Sequence, residues 1–222
     1  MYNIFKRFFD IIFSLIVLIA LIPFFIPIMI ILRLTAEGEI FYMQERYGIN
    51  NTKFKIIKFA TMLKNSMEMG TGSITLKNDP RVTNLGSFLR KTKINELPQI
   101  FNILKGDISF VGPRPLVKKT FMGYNKEIRC KIYKTKPGLT GIGSIVFRDE
   151  ESIISNVINE DPHKFYERVI APHKGELEIW YQKNQGFLID FQIILMTAWV
   201  IIFPKSKLYY SIFKNIPKRE QF

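Results

Sequence analysis

One cysteine, Cys130, and two histidines, His163 and His173, are all that the 222 residues contain of those two types. A lone cysteine excludes an intramolecular disulfide, and so few thiols and imidazoles exclude a Cys/His structural zinc site. Acids are scarce as well: 19 Asp and Glu stand against 32 Lys and Arg, for a net charge of +13. That imbalance points to a polyanionic partner, whether nucleic acid, an anionic membrane surface or a phosphorylated substrate. No internal repeat, low-complexity tract or convincing linker is visible. With 47% hydrophobic and 23% charged residues the chain is not disordered, and its length suits one domain with a real core plus an appendage. The chemistry reads as cytosol-facing.

Charge is missing altogether from Ile11 to Leu32, a run of 22 residues preceded by Lys6, Arg7 and Asp10 and followed by Arg33. The run is long enough to reach across a bilayer core. It continues through Ile-Pro-Ile-Met-Ile-Ile-Leu into Arg33 rather than ending in small residues, so it reads as a retained anchor and not a cleaved signal. Pro23 and Pro27 each remove a helix hydrogen bond and invite a bend. Basic residues flank both ends, and the positive-inside rule disfavours exporting the basic chain that follows. We therefore read residues 1–36 as a re-entrant helix broken near Pro23, with a kinked spanning helix as the alternative.

The remainder, 37–222, reads as one cytoplasmic domain. Phe41–Tyr47 and Phe54–Phe59 flank a Gly/Asn-rich turn and predict a β-hairpin. Helical spacing marks residues around Ile100–Leu104 and Lys164–Gln182. Phe187–Phe203 is apolar apart from Asp190, Gln192 and Thr197 and is followed by Lys205 and Lys207, as suits an interfacial helix or one packed beside the anchor. The fold class is α+β: a mainly helical domain with a small hairpin and the N-terminal membrane helix.

Three segments carry candidate chemistry. In Lys91-Thr-Lys-Ile-Asn95-Glu96-Leu-Pro98-Gln99, Asn95 is a favoured N-cap and Pro98 suits a first turn, predicting a helix start. Arg90, Lys91 and Lys93 precede it, so free N–H groups and cations would meet where a diphosphate binds; an ordinary capped helix with a solvated basic lead-in reads as well. In Gly112-Pro113-Arg114-Pro115, two prolines fix the backbone around an arginine whose fork suits phosphate, or else form a plain exposed turn. Lys136-Pro-Gly-Leu-Thr-Gly141 lets backbone approach a ligand or makes tight turns, and leads to Phe147-Arg148-Asp149-Glu150-Glu151. That acidic triplet either holds a divalent cation or begins a helix, and the helix start is favoured.

Taken in order, Gln44-Glu-Arg-Tyr-Gly48, Lys58-Phe-Ala-Thr-Met62, Asp79-Pro-Arg-Val-Thr83, Leu89-Arg-Lys-Thr92, Asn95-Glu-Leu-Pro-Gln99, Lys105-Gly-Asp-Ile-Ser109, Val111-Gly-Pro-Arg-Pro115 and Lys136-Pro-Gly-Leu-Thr-Gly141 resemble the bacterial sugar transferases, the monotopic phosphoglycosyl transferases. The resemblance covers nearly the whole chain. It implies transfer of a sugar-1-phosphate from a UDP-sugar to undecaprenyl phosphate, releasing UMP, at the cytoplasmic face of a bacterial inner membrane in the first membrane-committed step of glycan assembly. It implies Mg²⁺ as cofactor with Glu96 as its ligand, and Lys58, Arg90, Pro113, Arg114 and Arg148 as substrate-binding residues. A homodimer is left open.

Four departures stand out. The family's catalytic pair is Asp-Glu, in which the aspartate attacks the β-phosphate; here the pair is Asn95-Glu96. Ala60 stands where the family has arginine, and Phe147-Arg-Asp-Glu-Glu151 replaces the usual Asn-Gly-Arg-Asn. The membrane-helix Ser-Pro pair is Ile22-Pro23. An amide is no substitute for a carboxylate nucleophile. Either another carboxylate (Glu96, or one of Asp149, Glu150 and Glu151) takes over the attack, or the lipid phosphate attacks directly with Asp149 and Glu150 assisting by holding metal or activating the acceptor, or the protein binds these ligands without transfer. An active enzyme is favoured because the phosphate-gripping residues remain, with Asn95 as cap and positioning group. The competing readings are an impaired homologue that binds UDP-sugar or scaffolds glycan-assembly proteins, and a nucleic-acid binder, for which only the charge speaks.

Overall fold

The computed structural model describes residues 1–70, 72, 74–76, 78–157 and 160–219. Helix α1 (Tyr2–Leu34) has 33 residues, about 50 Å of helix. It is long and apolar enough to cross a membrane. Pro23 and Pro27 both lie inside it, which corrects the expected break: the helical run does not end at Pro23. Packing on either side of the prolines holds the flanking turns in place. Leu21, Phe25, Ile28 and Leu32 lie against Phe59 and Leu89 of the globular part, spaced so that they share one helix face.

The other end of α1 is fastened by polar groups. Arg7 donates to the carbonyls of Ile103 (2.5 Å) and Leu104 (2.6 Å), where a helix end leaves acceptors free. Buried Asp10 accepts from the Ser109 hydroxyl (3.0 Å) and the Phe110 N–H (3.2 Å). Lys6 donates to Asp190 Oδ2 (2.6 Å), Tyr181 Oη (2.9 Å) and the Val111 carbonyl (2.8 Å). Both halves of α1 are thus docked on one globular body.

Strands β1 (Phe41–Tyr47) and β2 (Lys53–Phe59) form the expected antiparallel hairpin, paired from Phe41↔Phe59 to Tyr47↔Lys53. Asn50 and Asn51 take positive φ in its turn, a conformation their short side chains tolerate. Helix α2 (Asn84–Lys91) is capped by Thr83, which accepts from the Gly86 N–H at 3.0 Å. Gly86 is needed there, because a Cβ would stand 2.1 Å from the Thr61 carbonyl oxygen.

A 3-10 turn at Ile94–Glu96 precedes α3 (Gln99–Lys105). The helix start expected at Asn95 is corrected here. Lys93 enters the left-handed region (φ 63) and begins a tight turn, while Pro98 occupies the N-cap position of α3. Asn95 caps nothing.

Strand β3 (Ser109–Val111) is followed by α4 (Lys118–Met122) and by α5 (Lys126–Ile132), which Asn125 caps. Strand β4 (Gly138–Thr140) then pairs in parallel with β3, a second sheet that the sequence reading missed because three residues carry no periodicity. Next come α6 (Ile142–Val146), α7 (Glu150–Ser155) and α8 (Pro162–Phe165). A π-helical turn, Tyr166–Ile170, leads into α9 (Ala171–Asn184), near whose start Pro172 lacks a donor. Helix α10 (Phe187–Ile202) and the short α11 (Tyr209–Ile212) follow. The main core joins Val111, Tyr133, Ile142, Ile145, Ile170, Leu177, Tyr181 and Ile193. The architecture is α+β, mainly helical, as expected.

Candidate active site

Strand alternation puts Gln44 and Arg46 on the face of the hairpin that also carries Ile56 and Lys58, since Gln44 pairs with Ile56. The 3-10 turn brings Glu96 beneath that face. Lys58 Nζ lies 2.7 Å from Glu96 Oε1, with both side chains largely shielded from solvent. Arg114 Nη2 approaches the same oxygen at 3.4 Å. Arg46 donates to the Pro115 carbonyl at 3.2 Å and to the Gln44 side chain, stiffening the turn on which Arg114 rides.

Burial would raise the Glu96 carboxyl, but Lys58, Arg114 and Lys93 together hold it well below the usual carboxylate range. Burial, reinforced by Arg114 and Arg46, brings the Lys58 ammonium down to about 8 against the pull of Glu96. Burial and then Arg114 lower Arg46 to about 10. Several cations therefore surround one carboxylate, which suits a polyanionic ligand.

These groups line a cleft of about 1550 Å³ together with Lys93, Asn95, Arg90 and Arg148. Arg148 makes no hydrogen bond or ion pair with another described residue, so its guanidinium is available to a ligand. Arg90 meets Glu151 at 3.1 Å. Asn95 is buried, and its Oδ1 has no hydrogen-bond partner. An unpaired amide oxygen of that kind calls for an explanation.

Pro113 is buried behind the cleft rather than lining it, with its carbonyl accepting from the Gly138 N–H at 2.9 Å. The glycines of Lys136–Gly141 serve backbone against backbone. A Cβ on Gly138 would stand 2.0 Å from the Gly112 nitrogen, and one on Gly141 2.2 Å from the Gly112 oxygen. The contact fixes the Arg114 turn on β4 and is not a ligand cradle.

The acidic triplet is divided among three elements. Asp149 pairs with Arg219, Glu150 with Lys174 of α9, and Glu151 with Arg90 of α2. Behind them lies Glu178, which the sequence reading missed. It is buried, and burial raises it to about 8 against the opposing pull of Lys174. Arg46 and Lys174 were also missed; hairpin alternation would have placed Arg46 on the face of Lys58, whereas nothing local marks Lys174 or Glu178.

The bacterial sugar transferase pattern matches residues 1–204. The chain belongs to the bacterial sugar transferase family. Among its relatives, the exopolysaccharide production protein ExoY of Sinorhizobium fredii is 37% identical over 68% of this chain and 73% of its own length. The undecaprenyl-phosphate galactose phosphotransferase of Salmonella typhimurium is 32% identical over 89% of this chain and 40% of its own length. The undecaprenyl-phosphate glucose phosphotransferase of Komagataeibacter xylinus is 34% identical over 90% of this chain and 36% of its own length. The chain thus spans less than half the length of these two phosphotransferases. The expectation of a transferase enzyme is met at the level of the family.

Proposed function

We propose that the chain transfers a sugar-1-phosphate from a UDP-sugar to undecaprenyl phosphate, releasing UMP and starting the assembly of a membrane-linked glycan. The observation that carries this reading is the Lys58–Glu96–Arg114 cluster on a cleft rimmed by the unengaged Arg148. The names of the galactose and glucose phosphotransferases support it.

Lys58, Arg114 and Arg148 would bind the diphosphate and neutralise charge as the phosphoryl group moves. Asn95 lacks a nucleophilic oxygen, and the carboxylates nearest in role are engaged: Glu96 with Lys58 and Arg114, Asp149 with Arg219, Glu150 with Lys174. This supports direct displacement, in which an acceptor phosphate oxygen bonds to the β-phosphorus as the bond to the UMP oxygen breaks. Asp149 and Glu150 then act by holding basic residues in place.

Among the described residues no group of three or more His, Cys, Asp or Glu is gathered for a metal. Mg²⁺ commonly binds through one or two protein oxygens together with substrate phosphates, and Glu96 with the unpartnered Asn95 Oδ1 fits that pattern. Bound there, Mg²⁺ would supply countercharge for the diphosphate.

We read α1 as re-entrant, with the chain at the cytoplasmic face of the inner membrane and α10 in the interface. Support comes from the docking of Arg7 and Asp10 at one end of α1 and of Phe25 and Leu32 at the other on the same body, which keeps both ends of the helix beside the globular part. The exposed Phe187, Leu188, Phe191, Leu195 and Ile202 of α10 suit a lipid boundary.

UMP release from a panel of UDP-sugars, with and without undecaprenyl phosphate, tests the reaction. Release only with acceptor, and no phospho-sugar adduct by mass spectrometry, is expected. A stoichiometric burst without acceptor would show covalent catalysis instead, and UDP-sugar binding with no release at all would show an impaired homologue.

A further inference from the structure

Residues 205–219 lie beyond the stretch that matches the family, yet they are built into the core. Tyr209, Phe213 and Ile216 are buried in it. The Trp180 indole donates to the Lys214 carbonyl at 3.1 Å and meets the Phe213 ring edge-on at 5.7 Å. This packing delivers Arg219 to the rim of the cleft.

There Arg219 grips Asp149 with both arms of its fork, Nη1 to Oδ1 at 2.5 Å and Nη2 to Oδ2 at 3.0 Å. Its Nη1 also donates to the Val146 carbonyl at 2.9 Å. The guanidinium lies 5.4 Å from the Phe147 ring centre, and the Arg219 backbone N–H donates to Tyr210 Oη at 2.8 Å. An exposed ion pair alone contributes little. A bidentate pair combined with a carbonyl bond and a ring contact is a geometric clamp. Val146, Phe147 and Asp149, the residues it holds, bracket Arg148.

We propose that Arg219 is a positioning residue for Arg148, so that the segment beyond the family match is part of the working site. The proposal rests on the transfer reading above. This chain carries an acid at position 149, where the resemblance leads one to expect a different residue, and its partner lies outside the family-matched stretch.

The test compares Arg219→Gln, Asp149→Asn, the double variant and the reversed pair Arg219→Asp/Asp149→Arg in the full chain. It reads UDP-sugar kinetics, the melting temperature and amide hydrogen exchange of residues 146–150. Expected for Arg219→Gln is a rise of about tenfold in KM with kcat changed less than about threefold, as for loss of a ligand-orienting contact. Faster exchange confined to 146–150 and a nearly unchanged melting temperature should accompany it. The double variant should be no worse than either single one, and the reversed pair should recover part of the loss. Unchanged KM and exchange in Arg219→Gln, or single effects that simply add, would overturn the proposal. If the wild type releases no UMP from any UDP-sugar, the transfer reading fails and the exchange data still decide the clamp: local loosening that the reversed pair restores supports it, and unaltered exchange removes it.

Discussion

Lys58 and Glu96, separated by 38 residues in sequence, meet at 2.7 Å inside the cleft, where the lysine is lowered to about 8 and the glutamate is held ionised. The pair sets the charge of the cleft floor, and that charge depends on pH.

In the free protein Lys58 carries its proton below about 8 and loses it above. Because kcat/KM reports ionisations of the free enzyme, it should fall about tenfold per pH unit above that value. A Lys58→Arg variant keeps its charge and should show a plateau through the same range, at lower absolute activity. An alkaline limb unchanged by the substitution would assign the ionisation to another group.

Arg114 faces Glu96 through Nη2 at 3.4 Å and is carried on a turn pinned by Gly112, Gly138 and Gly141. Arg114→Lys retains the charge but loses the planar fork, so kcat/KM should drop by about 10- to 100-fold. Wild-type kinetics in that variant would reduce Arg114 to part of a turn.

The Glu178 carboxyl is raised to about 8 from an ordinary 4.5, so between those values the folded protein keeps a proton that the unfolded chain has released. The stability this proton contributes is complete below 4.5 and is lost as pH rises through 8. Glu178→Gln removes the dependence. Its melting temperature should gain on the wild type by several degrees between about pH 6 and pH 9. A constant difference across that range would mean that Glu178 is ionised when folded.

Lys6 and Asp190 pair at 2.6 Å, with side chains only 12% and 13% exposed. Lys6→Met strands the carboxylate and should destabilise the protein by about 3–5 kcal/mol. Lys6→Met/Asp190→Asn should recover a good part of that loss in thermal unfolding in lipid nanodiscs. A double variant less stable than the single one would show that Asp190 relies mainly on Tyr2 and Tyr181.

The hairpin and helices α3, α9 and α10 were legible because their apolar spacing runs over enough residues to show a period, and Lys58, Glu96 and Arg114 could be singled out because their motifs stand in an ordered series, whereas Arg148 was matched only across a departure from the pattern. The start of α3 was misread: an Asn followed by a Pro is a sound local cap signal, but the left-handed Lys93 redirects the chain into a 3-10 turn first. Pro113 was misplaced because rigidity and exposure were read together, whereas tertiary packing buries it. Asp149 and Arg219 are 70 residues apart. A pairing at that distance depends on the fold and leaves no local pattern.

The polar seal on α1 has a temporal consequence. Lys6 is synthesised 184 residues before its partner Asp190, and Asp10 waits 99 residues for Ser109. The polar partners that fasten α1 therefore emerge long after the helix itself, and closing such long loops is entropically slow. On the membrane placement proposed above, the bilayer covers the apolar surface of α1 during that interval, and the globular body then takes over one face of the helix.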